Sequence, residues 1–146
     1  MINIQPLQHL HFNQWLALWQ NYLKFYKTEM SRIQSITSWN KITNPAQQDL
    51  FGFGIFKEDQ LVGFVHLVSH PSTWTSLPYC YLQDLYIDQN HRHQGLARQL
   101  IEYVYAYCKE DFDRVYWLTH ETNQTAQYLY DRIASKTGFI QYKKSL

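Results

Sequence analysis

Tyr81-Leu82-Gln83-Asp84-Leu85-Tyr86-Ile87, followed at once by Asp88-Gln89-Asn90-His91-Arg92-His93-Gln94-Gly95-Leu96-Ala97-Arg98, reads as a strand turning through a tight loop into a helix. Arg92-x-x-Gly95-x-Ala97 falls where the loop becomes the helix. Backbone N–H groups in the first turn of a helix have no intrahelical acceptor. They also stand at the positive end of the dipole, so they can cradle an anion such as pyrophosphate. A glycine at position 95 lets phosphates come close to the backbone, and the small Ala97 lets the helix pack tightly on the strand. The junction predicts a site for a phosphate-bearing cofactor.

Upstream of this junction, residues 2–5 alternate as a short strand that Pro6 stops. Phe12, Trp15, Leu16, Leu18, Trp19, Tyr22, Leu23 and Tyr26 recur at helical spacing, and residues 29–39 suggest a second helix. Phe51–Phe56 and Leu61–Val68 are strand-like, with Glu58-Asp59-Gln60 as the hairpin between them. Downstream, Leu96, Leu100, Ile101, Val104 and Cys108 form one apolar face of a helix over roughly 94–109. Arg114–Leu118 is a strand, Thr122 or Asn123 caps a helix to about Ser135, and Phe139–Tyr142 is a closing strand after Gly138. This order implies a mixed sheet flanked by helices, the α/β (α+β) class.

The 146 residues form a single domain with room for a real core. With 45% hydrophobic residues and only 5 Gly and 4 Pro, the composition argues against disorder. A net charge of +1 gives no basic stripe for nucleic acid, so anion binding has to be local. Cys80 and Cys108 fall on a strand and a helix and read as reduced core thiols. The start Met1-Ile2-Asn3-Ile4-Gln5-Pro6 has no basic region or long apolar run, and no membrane span is visible, so a cytoplasmic protein is expected. His9-x-His11 and His91-x-His93 lack a third ligand at a metal-site spacing, so no metal is expected.

Arg92-x-x-Gly95-x-Ala97 behind the strand ending Leu85-Tyr86-Ile87 resembles motif A of the GNAT superfamily of N-acetyltransferases. Asn123-x-x-Ala126-x-x-Leu129-Tyr130, followed by Gly138-Phe139, is similar to motif B of the same superfamily. The two motifs stand in order at the right separation, and the likeness covers essentially the whole chain. It implies the GNAT fold: a mixed, mostly antiparallel sheet of about six or seven strands, splayed at the cofactor site, with about four helices. Tyr81–Ile87, Tyr116–Asn123 and Tyr22-Leu23-Lys24-Phe25-Tyr26 further resemble the histone/polyamine, spermidine/spermine-like branch. That branch carries a Glu-Asp pair where this chain has Gln83-Asp84.

The resemblance implies transfer of an acetyl group from acetyl-CoA to a primary amine, a polyamine or small amine metabolite, by direct attack in a ternary complex. A protein lysine or N-terminus as acceptor, or a non-catalytic acyl-CoA-binding module, are the alternatives. Pyrophosphate is assigned to the N–H groups of His93, Gln94, Gly95, Leu96, Ala97 and Arg98, with the Arg92 side chain adding charge or facing solvent. Main-chain groups of Leu85 to Ile87, Tyr86 among them, would pair with pantetheine as a sheet edge pairs with a strand and hold the oxyanion. Tyr130 would protonate the departing thiolate. Asn123 would bond the pantetheine arm or simply cap its helix. Tyr22, Phe25 and Tyr26 would line the amine pocket or belong to the core.

An alkylammonium must lose its proton before attack, and Asp84 is the nearest candidate base, through water. Adjacent strand residues point to opposite faces, so Gln83 and Asp84 do not share one pocket in regular pleating. With Gln83 toward the substrate, Asp84 becomes a structural carboxylate. His120, at the end of the following strand, is the other base candidate. A homodimer built through Phe139–Tyr142 follows from the family likeness alone.

Overall fold

Glu58 and Asp59 both adopt positive φ, 49° and 67°, the two-residue turn whose twist matches paired antiparallel strands. In the computed structural model, which describes residues 1–146, they join β2 (Leu50–Lys57) to β3 (Gln60–His70). β1 (Ile2–Pro6) lies antiparallel on β2, and β4 (Tyr79–Ile87) antiparallel on β3. β5 (Arg114–Tyr116) runs parallel to β4, so the sheet order is β1-β2-β3-β4-β5.

Alternation along the strands feeds two cores. On one face Phe53, Ile55, Val65, Leu67 and Leu82 pack with Leu100, Ile101 and Val104 of α3 (Leu96–Cys108). On the other, Phe56, Phe64 and Tyr86 pack with Trp15 and Trp19 of α1 (Phe12–Phe25) and Trp39 of α2 (Arg32–Thr43). Each such side chain, fully buried, contributes about 1.5–3 kcal/mol of hydrophobic stabilisation. Ser31 caps α2 by accepting from the Gln34 N–H. α4 (Gln124–Ile133) stands beside the α3 face, with Leu129, Tyr130 and Ile133 against that core. No helix is long and apolar enough to cross a membrane.

The expected class is found, and the element order as far as α4, with five strands where six or seven were expected. Phe139–Tyr142 is not a strand: residues 134–146 have no regular secondary structure, and Phe139, Ile140 and Tyr142 are exposed. Alternation alone does not hold a strand, because its backbone groups need a neighbouring strand to pair with, and none in this chain lies alongside.

Two irregularities position the functional cleft. β4 and β5 pair only from Tyr79 to Tyr81 against Arg114 to Tyr116, after which they part. The outer edge of β4 from Leu82 to Ile87 is left free. A bulge also falls inside β4: Asp84 faces His66 and Leu82 faces Leu67, leaving Gln83 unpaired.

Candidate active site

Where β4 and β5 part, a cleft of about 710 Å³ opens between the end of β4, the start of α3, and α4. It is bounded on the far side by Tyr22, Phe25 and Tyr26 from the end of α1. The outward turn of Gln83 puts its side chain on the cleft wall, with Leu85, Tyr86 and Ile87 next along the same strand. Nearly all the residues expected to bind cofactor or substrate line this one cavity: Tyr22, Phe25, Tyr26, Gln83, Leu85–Ile87, Arg92, His93, Gly95–Arg98, Asn123 and Tyr130.

The loop from β4 to α3 has the geometry of an anion cradle. His93 and Gly95 take φ of 62° and 75°, and Gly95 is the N-cap of α3. A Cβ on Gly95 would meet no atom within 4 Å, so glycine is required there by its left-handed backbone rather than by crowding. The first backbone bond into the helix is Gln99 N–H to the Gly95 carbonyl. The N–H groups of His93 to Arg98 therefore donate to no backbone carbonyl.

Two side chains of this loop are held by protein partners. The Gln94 side chain lies off the cleft wall, its Oε1 3.5 Å from Lys57 Nζ, because the two positive-φ residues beside it turn it outward. The Arg92 side chain, expected on pyrophosphate or in solvent, folds back on its own strand. Its Nε donates to the Ile87 carbonyl at 3.1 Å, and its guanidinium lies 5.5 Å from the centre of the Tyr86 ring. It braces the loop against the strand end.

Tyr130 sits on the opposite wall, its ring edge-on to Trp117 at 5.2 Å. Burial, and then the proximity of Tyr26, raise its phenol above the ordinary range, so it stays protonated at neutral pH. Asn123 accepts from the Ala126 N–H through Oδ1 at 3.4 Å, the N-cap of α4, while also lining the cleft. His120 is exposed and outside the cleft; its Nδ1 accepts from the Thr122 N–H and contacts the hydroxyl at 2.7 Å.

Asp84 lies behind the wall, on the α1 face, opposite to Leu82 because the bulge at Gln83 interrupts the alternation. Its Oδ1 accepts from the Tyr22 hydroxyl at 2.8 Å, and its Oδ2 lies 2.9 Å from His66 Nδ1. His66 is only 2% exposed and receives the Trp15 indole N–H on Nε2 at 3.0 Å. Burial, followed by the charge of Asp84, raises the Tyr22 phenol far above its ordinary range.

His66 and Trp15 were missed as polar groups, since Leu61–Val68 and the first helix read as plain apolar runs. The signal was there: an imidazole inside a strand otherwise made of Leu, Val, Phe and Gly requires partners once buried. Leu118, Thr119 and Arg132 on the cleft wall carried no such mark. Cys80 and Cys108 are both free and buried in the core. His11 Nδ1 accepts the Gln8 N–H and His91 pairs with Asp88, and no three His, Cys, Asp or Glu side chains converge as metal ligands.

Residues 8–134 match the acetyltransferase (GNAT) family. D-amino-acid N-acetyltransferase HPA3 of Saccharomyces cerevisiae is 34% identical over 134 residues, covering 90% of this chain and 83% of that protein. Among solved structures, a probable acetyltransferase superposes with a TM-score of 0.87 at 21% identity, over 99% of this chain and 97% of the other. The aminoglycoside acetyltransferase AAC(6')-Iy, in complex with a CoA-linked bisubstrate analogue, does so with a TM-score of 0.85 at 15% identity, over 100% and 99%. The narrower likeness to the histone/polyamine branch is not carried by these relatives, of which the curated one is named for D-amino acids. The chain belongs to the acetyltransferase (GNAT) family and is an acetyl-CoA-dependent N-acetyltransferase.

Proposed function

We propose that the acceptor is a free amino acid or a similarly compact, carboxylate-bearing primary amine, in place of a polyamine. The observation that carries this is the charge of the wall. Of the 24 residues lining the cleft none is Asp or Glu, and the charged ones are Arg92, Arg98 and Arg132. A polycation finds no carboxylate to pair with on such a wall, whereas an acceptor with its own carboxylate meets no like charge there. The relative that acts on D-amino acids agrees with this choice.

When bound, acetyl-CoA supplies the activated acyl group and a good leaving thiolate. In this reading the free N–H groups of His93 to Arg98 hold its phosphates, with the Gln94 contribution coming from the main chain. The unpaired edge of β4 at Leu85 to Ile87 holds the pantetheine amides and offers N–H groups to developing negative charge. Tyr130 supplies the proton that the thiolate needs. Gln83, uncharged on the wall, orients the acceptor. A homodimer is also proposed, formed through the exposed Phe139, Ile140 and Tyr142. Sedimentation should find a dimer that a chain ending at residue 134 no longer forms, and a monomeric full chain would refute this.

The test of the acceptor is thiol release from acetyl-CoA across D- and L-amino acids, spermidine, spermine and a peptide with a free N-terminus. Higher kcat/KM with amino acids than with spermidine is expected. A preference for spermidine or for the peptide overturns the assignment.

A further inference from the structure

Trp15, His66, Asp84 and Tyr22 form one hydrogen-bonded chain from the core to the cleft, through contacts of 3.0, 2.9 and 2.8 Å. An indole N–H only donates, so Nε2 of His66 must accept, and the ring proton of a neutral His66 then sits on Nδ1, facing Asp84. Tyr22 and His66 both donate to the Asp84 carboxylate, so each of its oxygens has a defined partner. Asp84 and His66 are absent from the cleft wall, whereas Tyr22 is part of it. Tyr22 is the hydrogen-bonded link between the cavity and the partly buried carboxylate.

We infer that Tyr22 relays a proton from the acceptor ammonium to Asp84, and that His66 and Trp15 are positioning residues that hold Asp84 to receive it. One ammonium N–H bond breaks as its proton passes to the Tyr22 oxygen, and the Tyr22 O–H bond breaks as that proton passes to Asp84 Oδ1. The products are a neutral amine, an unchanged phenol and a neutral Asp84 carboxyl, with no electrons exchanged. Because the Tyr22 phenol is held far above its ordinary range, a standing phenolate is not available as base, and only simultaneous gain and loss lets this hydroxyl serve. The transfer ends at Asp84, since His66 Nε2 is occupied by Trp15. The ionisable groups around Asp84 are Tyr22 on α1, His66 on β3 and Tyr81 on β4. None of these adds a fixed positive charge that would weaken the carboxylate as a base.

The inference rests on amine acetylation in this cleft and is independent of which amine is preferred, so the test uses whichever panel member turns over fastest. Tyr22→Phe and Asp84→Asn should each lower kcat at neutral pH by about 10²–10⁴-fold, with the dissociation constant for CoA, measured calorimetrically, unchanged. The double variant should be no worse than the poorer single one, because both break one relay. Activity should recover as pH approaches that of amine deprotonation. It should also recover at neutral pH with a weakly basic acceptor that is already uncharged. Tyr22→Phe removes a single oxygen, so it keeps the test decisive should Asp84→Asn fold poorly. Near-normal kcat in Tyr22→Phe, additive losses in the double variant, or an equal loss with the weakly basic acceptor would each overturn the relay. A polyamine winning the panel would overturn only the acceptor assignment.

Discussion

Gly95→Ala separates what the β4–α3 turn does for stability from what it does for binding. At φ of 75° an L-residue is in the left-handed region, at a cost of about 1–2 kcal/mol. No atom lies within 4 Å of the added Cβ, so no steric term is added. For a chain of 146 residues each 1 kcal/mol lowers Tm by about 2–4 °C, so the unliganded variant should melt about 2–8 °C early. Wild type at a CoA concentration of 100 times Kd should gain about 2.7 kcal/mol. In the variant that gain should shrink, because the Cβ projects into the open cradle and the relaxed turn no longer holds its N–H groups together. The assay is thermal unfolding by circular dichroism, with and without CoA. If the unliganded variant melts with wild type, the backbone argument is wrong. A lowered Tm with an undiminished CoA shift would mean that the cradle does not depend on this turn.

Tyr130→Phe should lower kcat by about 10²–10⁴-fold with CoA affinity retained, since the phenol acts on the leaving group; steady-state kinetics beside calorimetry checks both halves. Trp15→Phe and Trp19→Phe make the same cut in volume, but only the first orphans a buried acceptor, because the Trp19 indole N–H has no protein partner. Urea unfolding should therefore find Trp15→Phe the less stable of the two by about 1–3 kcal/mol. Tyr22 and Tyr130 are both raised above the unfolded phenol range, chiefly by burial. The folded chain keeps protons that the unfolded chain releases above about pH 10. The stability from these two phenols is present below that pH and is lost as pH rises beyond it. The urea midpoint should fall between about pH 9 and 11, and less steeply in Tyr22→Phe.

Much of this architecture could be read from local chemistry. β4 ends at Ile87 as expected, because the Asp88–Gly95 loop follows it. The cradle was legible because its requirements are local: a left-handed residue, a helix start and a small residue behind it. The closing strand was misread for the converse reason. Phe139–Tyr142 alternates correctly, but pairing is a property of two strands, and only one was visible. The family likeness allows an irregularity in this strand, but its place at Gln83 is set by the facing strand and could not be read locally. His66 could have been singled out, yet its partners come from α1 and β4, 51 and 18 residues away, and no local pattern joins them.

Gln83 and Asp84 together link the choice of acceptor to the deprotonation of that acceptor. A carboxylate at position 83 would stand on the wall, where it would attract polycations and repel an acceptor with a carboxylate of its own. It would also be a base in open contact with the cleft. With glutamine at 83, the wall loses that charge, and the basic function passes to a carboxylate one residue further on, behind a phenol. The Tyr22 phenol, not the Asp84 carboxylate, lines the cleft, so Asp84 can take a proton without presenting its oxygens to the acceptor directly. Gln83→Glu should accordingly raise kcat/KM for spermidine relative to amino acids, while leaving the sensitivity to Tyr22→Phe intact for amino acids. If the added carboxylate instead abolished that sensitivity, position 83 would be the natural place for the base, and the buried chain from Trp15 to Tyr22 would be structural.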